Sequence, residues 1–382
     1  MNKVYINGIG QVPVQESWEH SLKELAGFAG LAAMEDAGLG YPQGLFVGNM
    51  LSLSANKQGH LATLLADWLG FHQKPALGSE AACGSGAAAF RAALEAVASG
   101  ELESALVVGV EKMTDSPSNE ITAQLVTAAD ADLEGGLGLS FVALNALIMQ
   151  RYLHEYHWSH GNFAAFSINA HANAVHNPFA RFRKPIDLQA YTSAAMICDP
   201  INLLDATPIA DGAAAIVISR NPGLSAHRPV RVIGSAAATD TISIQNRKDP
   251  IWLSAAEKSA QTAYRQSGIQ PKDIGVFEYH DAFSIMAALS LEAAGFCLRG
   301  QGPRLANEGK LKYDGEIPVA TLGGLKARGH PVGATGLYQL CEVTQQLRCQ
   351  AGPTQVSRPY YGMAQNIGGS GSNIITHILE AE

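Results

Sequence analysis

Two stretches of this chain hold a reactive side chain among glycines at the entrance to an apolar helix pattern. Ser79-Glu80-Ala81-Ala82-Cys83-Gly84-Ser85-Gly86-Ala87-Ala88-Ala89 carries a cysteine. Gly323-Gly324-Leu325-Lys326-Ala327-Arg328-Gly329-His330-Pro331-Val332-Gly333-Ala334-Thr335-Gly336 carries a histidine. A thiol attacks as its thiolate, and the unpaired N–H groups of a helix N-terminus favour that form. Gly84 and Gly86 let a substrate come close to the backbone. His330, with an ordinary pKa of about 6.5, can take a thiol proton or donate a hydrogen bond to a thioester oxygen. A lone cysteine is more often a buried structural residue, and a histidine here can simply cap a helix. The matched turns weigh against both readings and point to acyl transfer through a thioester.

Three further stretches are candidates. His280-Asp281-Ala282-Phe283 follows the strand pattern ending at Tyr279, so His280 is expected at a strand's C-terminal end, where α/β sites collect. Asp281 is placed to orient an imidazole; a surface histidine beside a capping aspartate fits the spacing equally well. Asn366-Ile367-Gly368-Gly369-Ser370-Gly371-Ser372-Asn373 is a glycine-rich loop that offers N–H groups to an oxyanion or is a plain β-turn. It has no Gly-Lys-Ser/Thr and is not a phosphate-binding P-loop. The basic run Arg181-Phe182-Arg183-Lys184 suits phosphates, although such runs are more often solvated surface.

The chain has 382 residues, 47% of them hydrophobic and 16% charged, which fits a globular protein with a large core. Its net charge of −8 argues against a general nucleic-acid binder, which needs a basic face. Five cysteines with no CxxC pair indicate a reducing compartment, no disulfide framework and no metal site. The opening residues read as a strand rather than a secretory signal, and no apolar run is long enough for a bilayer. A cytoplasmic location is expected.

The elements that must position these residues repeat weakly. An Ala-rich helix pattern from Leu22 leads to the strand Gly44–Gly48, and another from Ala255 leads to the strand Ile274–Tyr279. A turn-to-helix element with Cys83 or His330 follows in each case. After it comes an apolar strand, Ala105–Gly109 in the first half and Asn373–His377 in the second. Strands alternating with such helices predict layered α/β halves with buried sheets. Residues 116–195 break the pattern with aromatics, histidines and the basic run. The expected organisation is a first half over 1–115 and 196–222, an inserted loop domain over 116–195, and a second half over 223–382. The punctuation between Arg220 and Pro229 marks the join.

Taken together, these residues resemble the thiolase superfamily over nearly the whole chain. Ala82-Cys83-Gly84-Ser85-Gly86 looks like its nucleophile motif, and Gly329-His330-Pro331-Val332-Gly333-Ala334-Thr335-Gly336 looks like its most specific signature. Asp211-Gly212-Ala213-Ala214-Ala215 is similar to its mid-chain motif. The subgroup most resembled is the sterol-carrier-protein and archaeal type, through His280 to Phe283 and Asn177-Pro178-Phe179-Ala180. The resemblance implies two βαβαββ-type halves in a five-layered αβαβα fold. It also implies coenzyme A thioesters as substrates with no further cofactor, a homodimer or dimer of dimers, and for some relatives an OB-fold partner subunit. Cys83 would be acylated and His330 would activate it. The N–H groups of Cys83 and Gly368 would form one oxyanion hole, and His330 with His280 the other. Arg181, Arg183, Lys184 and Asn366 would contact substrate.

The departures concern one step. Thiolases carry a second cysteine as acid/base for the α-carbon, either before Ile-Gly-Gly or inside His-Asp-Cys-Phe. Here those positions hold Asn366 and Ala282, which take up no proton. The expectation is therefore a specialised or partner-dependent acyltransferase working through acyl-Cys83. The alternatives are a retro-aldol or retro-Claisen lyase on CoA-linked substrates and a non-catalytic thiolase-like subunit.

Overall fold

A computed structural model describes residues 2–223 and 227–382 of the chain. The join expected between Arg220 and Pro229 spans residues 224–226, outside the described residues. The first half is laid down as β1 (Tyr5–Gln11), α1 (Leu22–Ala37), β2 (Gly44–Gly48), α2 (Ser52–Ala55), α3 (Leu61–Leu69), β3 (Ala76–Ser79), α4 (Ser85–Ser99) and β4 (Ser104–Glu111). The chain then leaves the sheet for α5 (Ser118–Leu125), α6 (Phe141–Tyr156), α7 (Ala164–Ala174), α8 (Leu188–Thr192) and a small hairpin of β5 (Met196–Cys198) and β6 (Ile201–Asn202). It returns as β7 (Gly212–Ser219). The second half runs β8 (Val230–Thr239), α9 (Ser254–Ser267), β9 (Val276–Glu278), α10 (Ser284–Ala293), α11 (Gly302–Asn307), α12 (Thr335–Leu347), β10 (Tyr361–Gly368) and β11 (Asn373–Ala381). No helix among the described residues is long and apolar enough to cross a membrane.

The repeat is visible in the strand order, β3-β2-β4-β7-β1-β8-β11-β10-β9. Each half contributes parallel strands at its outer end, β3-β2-β4 and β10-β9, and antiparallel strands toward the centre. The halves meet where Tyr5 and Ile6 of β1 pair with Arg231 and Val230 of β8. This order corrects one expected match. The counterpart of β4 is β10, each lying between its half's parallel neighbour and its antiparallel one. The 373–377 strand begins β11, which is the counterpart of β7. Apolar composition alone does not distinguish two adjacent buried strands.

Three apolar cores pack helices against the strands of this sheet. One lies between α1/α3 and the first-half strands, and one between α9/α10 and the second-half strands. The middle core joins α4 and α12 to strands of both halves. The reactive residues precede these two middle helices. The helices approach so closely that a Cβ at Gly336 would lie 2.6 Å from the backbone nitrogen of Ala87, and one at Gly86 would lie 2.8 Å from the carbonyl of Gly333. Glycine is required at that crossing because a side chain there would push the two reactive turns apart.

Candidate active site

Cys83 stands in the tight connection between β3 and α4. Ala82, just before it, is held at φ +52°, a conformation that costs a non-glycine residue of order 1 kcal/mol. Ser85 holds the turn closed: its hydroxyl donates to the carbonyl of Ala82 at 2.6 Å and accepts from the N–H of Ala81 at 2.9 Å. The strained residue thus sits beside the candidate nucleophile and turns it toward the pocket.

His330 does not sit on a helix terminus as its turn suggested. A π-helical turn, Gly324–Arg328, precedes it, and a 3-10 turn, Val332–Ala334, separates it from α12. Its Nδ1 is 2.6 Å from the hydroxyl of Thr335, and that hydroxyl lies 3.0 Å from the carbonyl of Pro331. Thr335 has one proton, which goes to the carbonyl, so its oxygen accepts from Nδ1–H. His330 is thereby left with a free lone pair on Nε2, the form a general base needs.

His280 carries the opposite arrangement. It follows β9, is 2% exposed, and its Nδ1 lies 3.0 Å from the amide nitrogen of Asn366. An NH2 group donates, so Nδ1 accepts and the ring proton is on Nε2. The two rings meet edge to face with centroids 5.0 Å apart. The Cys83 sulfur and one nitrogen from each ring all lie within 4.8 Å of one another. One ring offers a base and the other a donor, on either side of a thiol.

Burial dominates the electrostatics. It pushes the Cys83 thiol up to about 12, with the nearby Glu111 adding to the rise; the N–H groups of Cys83 and Gly369 work the other way. The expected thiolate-favouring effect of the helix is therefore outweighed, and Cys83 rests as a thiol that needs a base. Burial, and then the Arg328 guanidinium, press His280 down to about 3. Burial, His280 and Arg328 likewise hold His330 well below its ordinary value. Both rings are neutral at physiological pH.

The cluster forms the floor of a cavity of about 340 Å³ with mainly apolar walls. Leu125, Phe141 and Val142 come from the 116–195 segment, Phe283, Met286 and Val332 from the second half. Ala282, at one of the cysteine positions, also lines it. Asn366 does not; it lies behind His280, with its amide nitrogen 3.0 Å from Nδ1 of that ring. Gly369, one residue beyond Gly368, is the glycine on the cavity wall. Gly368 ends β10, packed so that a Cβ there would meet the carbonyl of Ala81 at 2.5 Å.

Other expected contacts are relocated. Arg181 pairs with Glu16 at 2.6 Å, and Arg183 and Lys184 are exposed. From that run only Phe182 reaches the cavity. Asp281 orients no imidazole: its Oδ1 accepts from the N–H of Leu325 at 2.7 Å, tying β9 to the His330 loop. The mid-chain Asp211 is structural. It is fully buried and accepts from the N–H groups of Ser17, Met113 and Thr114, the Thr114 hydroxyl and the Lys112 ammonium.

Sequence reasoning missed three residues. Thr335 fixes the His330 tautomer. Glu111 accepts from Asn49, Met50, Leu51 and Gly333, joining the β2 and His330 loops. Lys326 is 2% exposed, lines the cavity and donates to the carbonyl of Asp205 at 2.6 Å. A lysine two residues from an arginine reads as surface charge, and nothing local announces its burial.

Fold and cluster together define a two-half enzyme that places a thiol between two histidines. The model of the thiolase N-terminal domain matches residues 9–221, and that of the thiolase C-terminal domain-like family matches residues 236–381. The chain belongs to the thiolase family and is an enzyme of its acyltransferase kind. It is 39% identical over 385 residues to an acetyl-CoA acetyltransferase of Methanothermobacter thermautotrophicus, covering 99% of this chain and 100% of the relative. It is 29% identical to the benzoylsuccinyl-CoA thiolase subunit BbsB of Thauera aromatica, covering 96% and 95%. Among solved structures, an Ltp2-ChsH2(DUF35) aldolase superposes with a TM-score of 0.86 at 23% identity, over 99% of this chain and 98% of that one.

Proposed function

We propose that this thiolase-family enzyme transfers an acyl group between coenzyme A thioesters through an acyl-Cys83 intermediate. The observation that carries this reading is the convergence of Cys83, His330 and His280 within 4.8 Å on the floor of one apolar cavity. Nε2 of His330 takes the thiol proton, and the sulfur attacks the thioester carbonyl. The developing oxyanion is met by the N–H groups of Cys83 and Gly369. The coenzyme A thiolate leaves and takes the proton from His330, so the acyl-enzyme forms with both rings again neutral.

Carbon–carbon bond formation then needs a base for the α-proton. Ala282 and Asn366 cannot supply it, and neither can His280 while its proton is on Nε2; the Nε2 lone pair of His330, free again once coenzyme A has left, is the base that remains in the cluster. General base catalysis contributes roughly 10²–10⁴-fold, so turnover rests on that ring. The exposed Arg183 and Lys184, beside Phe182 at the cavity wall, suit the phosphates of coenzyme A.

Phe182, Ile197 and Leu203 are 40%, 49% and 59% exposed while lining the cavity. Such an apolar rim favours a partner subunit, of the OB-fold kind, closing the site. A neighbour named as a subunit and another named with DUF35 support the same reading. The edge strand β3, with Leu77 exposed, suits pairing with a second copy in a homodimer, and a cytoplasmic location fits this chemistry.

The apolar cavity without a second cysteine also favours a second reading, a lyase cleaving a CoA-linked side chain. Intact-protein mass spectrometry after incubation with a panel of acyl-CoAs separates the two. An acyl adduct on the wild type and none on Cys83→Ala supports the acyltransferase. Full turnover by Cys83→Ala supports the lyase. Absence of any adduct together with loss of turnover in Cys83→Ala would leave the acyl-enzyme without support.

A further inference from the structure

The cavity carries polar groups in two places. In one, Cys83, His280 and His330 converge. In the other, Lys326 stands in the wall with His171. Arg328 is the cation that acts on both rings of the reactive cluster, and Lys326 is the one that acts on His171. The two places are therefore electrostatically separate, and most of the remaining lining is apolar.

Lys326 is a buried cation with donors to spare. An ammonium has three N–H groups. One donates to the carbonyl of Asp205 at 2.6 Å, and that is the hydrogen bond Lys326 makes among the described residues. The acids that act on it, Asp281 and Asp205, are engaged elsewhere. The Asp205 carboxylate accepts from the Tyr191 hydroxyl and the N–H of Asn202 and meets the His160 ring. Asp281 accepts from the N–H of Leu325, and burial raises its carboxyl, which weakens it as a counter-charge. A charge taken out of water is costly unless an opposite charge and acceptors meet it. A neutral donor would serve the Asp205 carbonyl as well, so that bond does not account for the charge.

We propose that Lys326 is a specificity-determining residue that pairs with a carboxylate at the far end of the acyl group, so that the preferred substrate is the coenzyme A monothioester of a dicarboxylic acid. This rests on the acyl-Cys83 reading above and names its substrate class. The carboxylate accepts from the free N–H groups of the ammonium, and the apolar walls take the methylene chain. An uncharged chain leaves those N–H groups unpaired in the wall, so the site discriminates both by attracting the acid and by rejecting its analogue. His171 gains as well. Its Nδ1 lies 3.3 Å from the carbonyl of Lys184, and burial and then Lys326 hold the ring below its ordinary value; an anion beside it offsets both effects.

The test reads Cys83 acylation by intact mass, as initial rates at sub-saturating thioester. Succinyl-, glutaryl-, adipyl- and suberyl-CoA are each set against the straight-chain acyl-CoA of equal carbon number. At pH 7 at least one acid should acylate wild type about 10- to 100-fold faster than its uncharged counterpart, the scale of a hydrogen bond to a charged group. In Lys326→Met, which keeps an unbranched side chain without the charge, the ratio should fall to one or below. A ratio taken within one protein cancels any loss of folded material. In wild type the ratio should also fall as pH rises past about 8, where the buried ammonium gives up its proton, which decides the matter even if Lys326→Met does not fold. A ratio near one for every acid overturns the proposal. So does a preference that survives Lys326→Met, or one that stays level up to pH 10. A wild type acylated by none of these thioesters would remove the acyl-enzyme reading, and calorimetric affinities of the same pairs for wild type would still decide whether the cavity prefers a carboxylate.

Discussion

The hydroxyl of Thr335 stands 2.6 Å from Nδ1 of His330 and is shared with the carbonyl of Pro331 at 3.0 Å. Because its one proton is committed to the carbonyl, the histidine must donate at Nδ1 and accept at Nε2. Replacing Thr335 by Val removes the acceptor but keeps the shape. Leaving a buried N–H unpaired costs about 1–3 kcal/mol. The ring can avoid that cost by moving its proton to Nε2, where it no longer serves as a base. Thr335→Val should slow acyl-adduct formation by about 10²-fold, the scale of losing a general base, whereas Thr335→Ser should stay near wild type. Equal rates for the two variants would remove the tautomer argument.

Glu111 and Cys83 are coupled through charge. Burial holds the Glu111 carboxyl up at about 7, although its two oxygens accept four N–H bonds that favour the anion. Its charge, added to burial, keeps the thiol protonated. Alkylation of Cys83 by iodoacetamide should therefore be slow at pH 7 and rise about tenfold per pH unit through pH 9, since only thiolate reacts. Glu111→Gln should accelerate it at every pH. The same variant turns an NH2 group against backbone N–H donors and should lose about 1–3 kcal/mol of stability. A plateau in the wild-type rate below pH 8 would contradict a raised thiol.

How far the sequence revealed this arrangement depended on the range of the interaction. Cys83 and His330 announce themselves because the glycines that shape their turns are their neighbours in the chain. The alternating elements revealed layered halves for the same reason. The counterpart of β4 is not legible in the sequence because β10 and β11 are adjacent buried strands of similar composition, and only their hydrogen-bonded neighbours separate them. The sequence places Asn366 and Asp281 beside the right motifs but does not show that one faces the His280 ring and the other the N–H of Leu325; which way a side chain faces is decided by packing between elements distant in the chain. Lys326 and the Thr335 contact belong to the same class, set by elements far apart in the chain.

The crossing of α4 and α12 sets the distance between the two reactive turns. A methyl at Gly336 would meet Ala87 N at 2.6 Å and Asn366 Oδ1 at 2.8 Å. Overpacking of this kind costs about 1–3 kcal/mol, and relief requires the helices to separate. Gly336→Ala should lower stability by that amount and slow acylation as well. Gly161→Ala, where a Cβ meets nothing within 4 Å, is the control and should stay within about 0.5 kcal/mol. A Gly336→Ala protein with wild-type stability and adduct rate would show that the crossing does not govern the site.

Lys326 carries a pH dependence whose sign is fixed by its burial. Its ammonium lies in the cavity wall, and burial presses it down to about 8 even though Asp281 and Asp205 act to raise it. The unfolded chain titrates this group near 10.4. A base depressed in the folded state contributes most above its unfolded value, and that contribution is lost as pH falls through the folded one. The stability of wild type relative to Lys326→Met should therefore rise between pH 8 and pH 10.4, by up to about 3 kcal/mol at ~1.4 kcal/mol per pH unit. Below pH 8 the difference should be flat. Urea midpoints for both proteins at pH 7, 8, 9 and 10 measure it, with the variant cancelling every other titrating group. Parallel curves across that range would mean that the ammonium is solvated in the folded protein, contrary to its place in the cavity wall.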